Sequence, residues 1–456
     1  MHARKLSLIA LATAAVIASQ PSLAASQADA NGFIEDSSLN LLNRNYLFDR
    51  DYKHAGGNAD LRDTREWAHG LRATFTSGYT KGTVGVGVDA HAVGVIKLDS
   101  DRNGGTVDTG ILPTGSDGNA QDNYSYAGGS LKARISKTEL KAGDLIPTNP
   151  VFGMGSSRMF FGTAQGFQLL SNEIEGLNLE AGHFTSIRDG SMNTNRDGEI
   201  TLTYGGPVDA RSADYLGGSY QITDRLSAIL YASELEDVWN QYYGKLNYVL
   251  PLASERSLEF DFNLYETRDT GKELAGRIDN TTWSLSTAYT TGAHRFMLAY
   301  QQVDGDEPFD YIGMDGGTYG GRYRGNTGGS IWVANSIQYA DFNGPNEKSW
   351  QLRYDIDMGH YGVPGLSFMA RYITGDDIDD SRYNGGPNGV YGWYSASTDG
   401  KKGKHWERDL EVRYVVQSGP AKDLAVRASY AVHRDNGFSN SANELRFVVD
   451  YPLDIF

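Results

Sequence analysis

Basic side chains recur at one parity in this sequence. Taking alternate residues along its extended segments, a single face collects Arg44, Arg72, Lys132, Arg134, Arg371, Arg413, Arg427 and Arg446. A guanidinium stays charged near neutral pH and holds a carboxylate through two parallel hydrogen bonds. A row of them on one wall could pass a carboxylate along, provided each site is weak enough to release it. Several could equally pair with acids of the same parity, such as Glu139, Asp355, Glu411 and Asp450. The run Asp304-Gly305-Asp306-Glu307-Pro308-Phe309-Asp310-Tyr311 offers acidic and phenolic groups to a solute that also carries a positive end. A solvated loop or a calcium site between loops are the competing fates of this run.

Catalysis finds little support. The nine His fall in no HExxH or other metal-ligand spacing. No GxSxG, Walker A or dinucleotide fingerprint occurs in a strand-turn-helix setting. A barrel hydrolase would need Ser and His together at one rim; His69 and Ser77 share a strand face but stand well apart along it. No cofactor is expected. With no Cys, disulfide scaffolds and thiolate metal sites are excluded.

The elements that must position these groups are strands. Val84, Val86, Val88, Ala90 and Ala92 oppose Thr83, Gly85, Gly87, Asp89 and His91. Leu258, Phe260, Phe262 and Leu264 oppose Glu259, Asp261 and Asn263, and Trp350, Leu352, Tyr354, Ile356 and Met358 oppose Gln351, Arg353, Asp355 and Asp357. Leu410, Val412, Tyr414 and Val416 oppose Asp409, Glu411 and Arg413. A face bearing acid, base and amide in strand after strand suits a wet lumen better than a sandwich core. No run of 18 apolar residues follows the first few dozen, so only a closed barrel could span a membrane. A mean hydropathy of −0.46 alongside 28 Tyr, 17 Phe and 7 Trp fits alternation and interface girdles.

Residues 1–24 read as a secretory leader: Arg4 and Lys5, the apolar stretch Leu6 to Ile17, then Ser22-Leu23-Ala24. Cleavage after Ala24 would leave 25–456 as one transmembrane domain and take the formal charge from −16 to −18. That acidity argues against nucleic-acid binding. Extended runs number about 20 by simple counting. Placing Glu199 to Tyr204 and Ile331 to Phe342 in outer loops leaves 18, with short turns on one side and long connectors on the other. The expected fold is all-β, an 18-stranded antiparallel transmembrane barrel. Its segment Asp144 to Gly166 carries Val151, Phe152, Met154, Met159, Phe160 and Phe161 and must bury them. Folding into the lumen does so and adds Arg158 to the basic row; packing on the outer surface or on a neighbour is the alternative. The last strand sets Leu445, Phe447, Val449, Tyr451, Leu453 and Ile455 on one face, with the terminal Phe456 one residue off that parity.

Longer stretches resemble a known family. NGFIEDSSLNLLNRNY (31–46), GGSLKARISKTELKAGD (128–144), GFQLLSNEIEGLNLEAGHF (166–184), LAYQQVDGDEPFDYIG (298–313), ANSIQYADFNGPNEKSWQLRYD (334–355) and YVVQSGPAKDL (414–424) resemble the OprD, or Occ, substrate-specific porins. The resemblance implies an 18-stranded channel of the outer membrane with an inward third loop, a narrow eyelet and an arginine ladder. By the match, Arg44, Arg134, Arg158, Arg371 and Arg427 occupy the ladder's basic positions, while parity adds Arg413; Asp306 and Asp310 fall in the acidic seventh loop. The run GDEPFDYIG and the GSSRMF loop resemble the branch taking basic amino acids or small peptides, through whose close members carbapenems enter. Cyclic or aromatic carboxylates are the alternative solutes, and an outer-membrane hydrolase the alternative of another class. Ser429 departs from a pattern that often has a second arginine there. The expected surroundings are outer-membrane lipid and lipopolysaccharide, reached through the barrel-assembly machinery, as a monomer or a trimer.

Overall fold

Eighteen antiparallel strands pair edge to edge into one closed sheet. The computed structural model describes residues 26–55, 63–101, 109–115, 119–155, 158–190, 199–314, 318–319, 322–323, 329–386, 388–392 and 401–456. The leader expected at 1–24 lies outside the described residues, as do parts of the connectors 100–123 and 376–405 and positions 156 and 157 of the inward loop.

The barrel strands are β1 (Ser38–Ala55), β2 (Thr64–Thr76), β3 (Val84–Ser100), β4 (Asn123–Ile135), β5 (Thr138–Leu145) and β6 (Thr163–Ser171). Next come β7 (Leu177–Arg188), β8 (Ala213–Thr223), β9 (Leu226–Leu235), β10 (Trp239–Leu252), β11 (Arg256–Asp269) and β12 (Asp279–Thr291). The last are β13 (His294–Asp304), β14 (Lys348–Asp357), β15 (Leu366–Ile378), β16 (Gly403–Val415), β17 (Ala425–Asp435) and β18 (Asn440–Asp454). Each pairs with its sequence neighbours, and β1 also pairs with β18, in the register Arg44↔Asp450 and Phe48↔Arg446. Closure leaves no strand edge, so the ladder groups that lipid could not solvate are paired within the sheet.

Period-two alternation becomes inside and outside. Leu131, Leu230 and Leu352 are 68%, 67% and 62% exposed, as a lipid-facing belt requires, whereas Lys132, Ser233 and Arg353 on the other face are buried within the barrel. On the outer face Trp283, Tyr300 and Trp350 lie in a row, tilted to one another with ring centroids 5.3 and 4.6 Å apart, as in an interface girdle. Turns as short as 136–137, 224–225 and 292–293 close one end, which is periplasmic, and the long connectors leave the other. The two runs assigned to outer loops are indeed outside the wall. Ile200–Leu202 joins Gly206–Ala210 and Ile312–Met314 in a small separate sheet, and 331–342 is irregular. Phe456 follows the last strand, exposed, with its carbonyl accepting from the Leu39 amide at 3.1 Å.

Candidate functional site

The segment between β5 and β6 enters the barrel. Pro147 and Pro150 deny it ladder donors, and Asn149 Oδ1 accepts from the amides of Val151 (3.1 Å) and Phe152 (2.7 Å), turning the chain back. Phe152 then stacks on Phe184 at 4.7 Å and on Tyr215 at 6.1 Å, both on inward faces. Further along, Met159 and Phe160 bury among Tyr46, Phe48, Val93, Val95, Tyr124 and Tyr126. Gly70 permits this, because a Cβ there would lie 2.7 Å from both Met159 Cε and Phe160 Cε2. Tyr265 Oη donates to Pro150 O at 3.0 Å and accepts from the Trp332 amide at 2.9 Å, tying this loop to the one before β14. The lumen is therefore partly filled by loops from the extracellular side.

The predicted basic residues reach this lumen, but their partners divide them. Arg44 holds Asp450 with two bonds, Nε to Oδ1 at 2.7 Å and Nη2 to Oδ2 at 2.8 Å. Its Nη1 donates to the carbonyls of Arg158 (3.2 Å) and Met159 (2.8 Å), so it fastens the inward loop to the wall. Arg446 is held by Glu444 at 2.6 Å and by Gln338 O at 2.6 Å. Arg371 gives only Nε to Asp409, at 2.6 Å, and keeps its two terminal nitrogens. Arg158 lies over the Phe48 ring at 5.1 Å. Lys132 is taken up by Asp89 (2.6 Å) and Ser77 O (2.8 Å). Arg72 faces the Phe161 ring at 4.3 Å, and Arg413 and Arg427 are register partners on β16 and β17. None of these last three has a carboxylate within 4 Å among the described residues. Arg134 is buried near the periplasmic turn, with its guanidinium 3.9 Å above the Tyr79 ring. Ser429 is also on the inner face, opposite Glu411 and Arg446.

The acidic run splits too. Asp306 is partly exposed and pairs with Arg382 at 3.0 Å. Asp310 is buried, and its oxygens accept from the amides of Tyr204 (3.0 Å), Tyr311 (2.8 Å) and Gly205 (2.8 Å) and from Tyr391 Oη (3.2 Å). Burial still outweighs those bonds and pushes its carboxyl up to about 6. Glu307, buried with Oε1 accepting from the Asp279 amide at 3.0 Å, is pushed up to about 7 by the same cause. Asp310 thus pins three loops together, and Asp306 is the more accessible acid.

Parity reasoning passed over several inward groups. Arg50 shares the unexposed Glu444 with Arg446 of the basic row, and Arg295 pairs with Glu259 at 3.1 Å. All fall on the same alternate positions as their neighbours, so continuing the period to the strand ends would have found them. A chain Glu347–His405–His433, with links of 2.6 and 2.9 Å, fixes the foot of the loop before β14 to β16 and β17. No motif announces that cluster. Among the described residues no three His, Asp or Glu gather as metal ligands. His69 and Ser77 do not meet: the Ser77 hydroxyl donates to Gly78 O at 2.8 Å and accepts from the Val88 amide at 2.7 Å.

Comparison with known proteins agrees with this geometry. Residues 31–455 match the family described as outer membrane porin, OprD family. Porin D of Pseudomonas aeruginosa is 53% identical, with all of both chains covered. The crystal structure of Pseudomonas aeruginosa OprD has a TM-score of 0.80 at 50% identity, covering 95% of this chain and 99% of that one. OpdK of the same organism, solved with vanillate, has a TM-score of 0.78 at 34% identity, covering 93% and 100%.

Proposed function

The chain belongs to the OprD family of outer-membrane porins, and from that premise we propose that it admits small carboxylate-bearing solutes, basic amino acids or small peptides foremost. The observation that carries this reading is the set of inner-wall guanidiniums that have no acid within 4 Å among the described residues. Arg72, Arg413 and Arg427 can take an incoming carboxylate without displacing an acid of the described residues, and Arg371 offers its two terminal nitrogens. Arg44 and Arg158 contribute by holding and lining the constriction. Asp306 serves the positive end of a basic amino acid, and Asp310 serves by shaping its loop. Carbapenems, as carboxylates of similar size, fall within the same class.

Cyclic or aromatic carboxylates are the second reading. It draws on two observations: Asp310 has no oxygen to spare and Asp306 is already paired. A relative solved with vanillate points to the same class. Liposome swelling with arginine, benzoate and glucose separates the cases. Faster entry of arginine supports the first, faster entry of benzoate the second, and equal rates for all three would leave an unselective pore.

A further inference from the structure

The segment ahead of β1 is seated inside the periplasmic mouth, and we infer that Gln27 makes it a cover over Arg134 that sets how strongly this end of the channel favours anions. The inference rests on the channel reading above. Its ground is a built contact. Gln27 is 3% exposed although it lies beyond the sheet. Its amide N donates to Ser136 O at 2.7 Å, and its Nε2 donates to Thr80 O (2.9 Å) and Gly82 O (3.2 Å). Its Oε1 accepts from Arg134 Nε at 3.1 Å. Arg134 is 7% exposed, stacked on Tyr79 from one side and closed off by this segment.

The barrel makes room for the visitor. A Cβ at Gly85 would fall 2.2 Å from Gln27 Oε1, and one at Gly78 would fall 2.1 Å from Gly32 O. The Gly78 amide also donates to Phe33 O at 2.9 Å. Asn31 clasps Asp36 with two bonds of 2.8 Å, which keeps the segment folded back on itself. Asp29 and Asp36 lie close enough to act on the Arg134 charge. An amide acceptor and two carboxylates therefore offset a guanidinium that would otherwise face every solute leaving the lumen. Such a field matters most where a low-dielectric wall confines it.

The test is the zero-current potential of the full chain in a planar bilayer under a KCl gradient. Gln27→Ala should raise chloride over potassium permeability on the order of twofold. Gly85→Ala, which crowds the Gln27 amide from its seat, should reproduce that rise and serves as the second arm where Gln27→Ala inserts poorly. Adding Arg134→Ala to either variant should cancel the rise. An unchanged potential in both single variants overturns the inference, as does a rise that persists without Arg134. The readout uses only potassium and chloride, so equal uptake of arginine, benzoate and glucose would sink the proposed solute preference and leave this result standing.

Discussion

A wall arginine can bind a passing carboxylate only with the donors that its own neighbours leave unused. By that measure Arg44 and Arg427 do different work, although both sit on the inner face. Arg44 spends Nε and Nη2 on Asp450 and Nη1 on two loop carbonyls. Arg427 has no acid within 4 Å among the described residues. Arg427→Ala should then lower carboxylate flux about fivefold, the worth of roughly 1 kcal/mol for an ion pair in a wet setting, with glucose flux unchanged. Arg44→Ala should instead release the inward loop and raise carboxylate and glucose flux together. Swelling rates for the two solutes in each variant decide it; equal effects of the two substitutions would show that the wall acts as one undifferentiated charge.

Among the elements, the loop 305–311 has the clearest pH response. Burial lifts Glu307 from its ordinary 4.5 to about 7 and Asp310 from 3.8 to about 6. Each binds its proton more tightly in the packed loop than in an open one. Packing is thus fully supported below the ordinary values and weakens as pH rises toward about 7. Amide protection factors across this loop, which remove the intrinsic pH dependence of exchange, should be higher at pH 5 than at pH 8. Glu307→Gln keeps the oxygen that accepts from the Asp279 amide and removes the larger titration, so most of that difference should vanish. Identical protection factors at both pH values in the parent protein would refute the assignment.

For the whole molecule, the balance of field and fit sets the behaviour. The chain is acidic overall, at −16, while Arg72, Arg413 and Arg427 on the inner face have no acid within 4 Å among the described residues. A field extending about 30 Å at 0.01 M salt shrinks to about 3 Å at 1 M. The preference for carboxylates over glucose should therefore fall steeply across that range, read as relative swelling rates in rising KCl. A preference that survives 1 M salt would assign recognition to short bidentate contacts alone.

Much of this was legible residue by residue. Alternate side chains of a strand must point to opposite sides, so parity alone put Arg72, Arg413 and Arg427 on the wall and Val84 and Leu352 in lipid. The apolar load of 151–161 likewise announced an inward loop, because Phe152 and Phe160 had to be buried. Pairing was another matter. Arg44 and Asp450 meet only because β1 closes on β18 in one register, and Asp310 meets Tyr204 and Tyr391 only where three loops converge. Gln27 finds Arg134 across 107 positions, at a seat opened by Gly85. Local pattern decides which way a side chain faces. Which partner waits there depends on closure and loop docking, and that separated a row of like arginines into anchors, open sites and one covered charge.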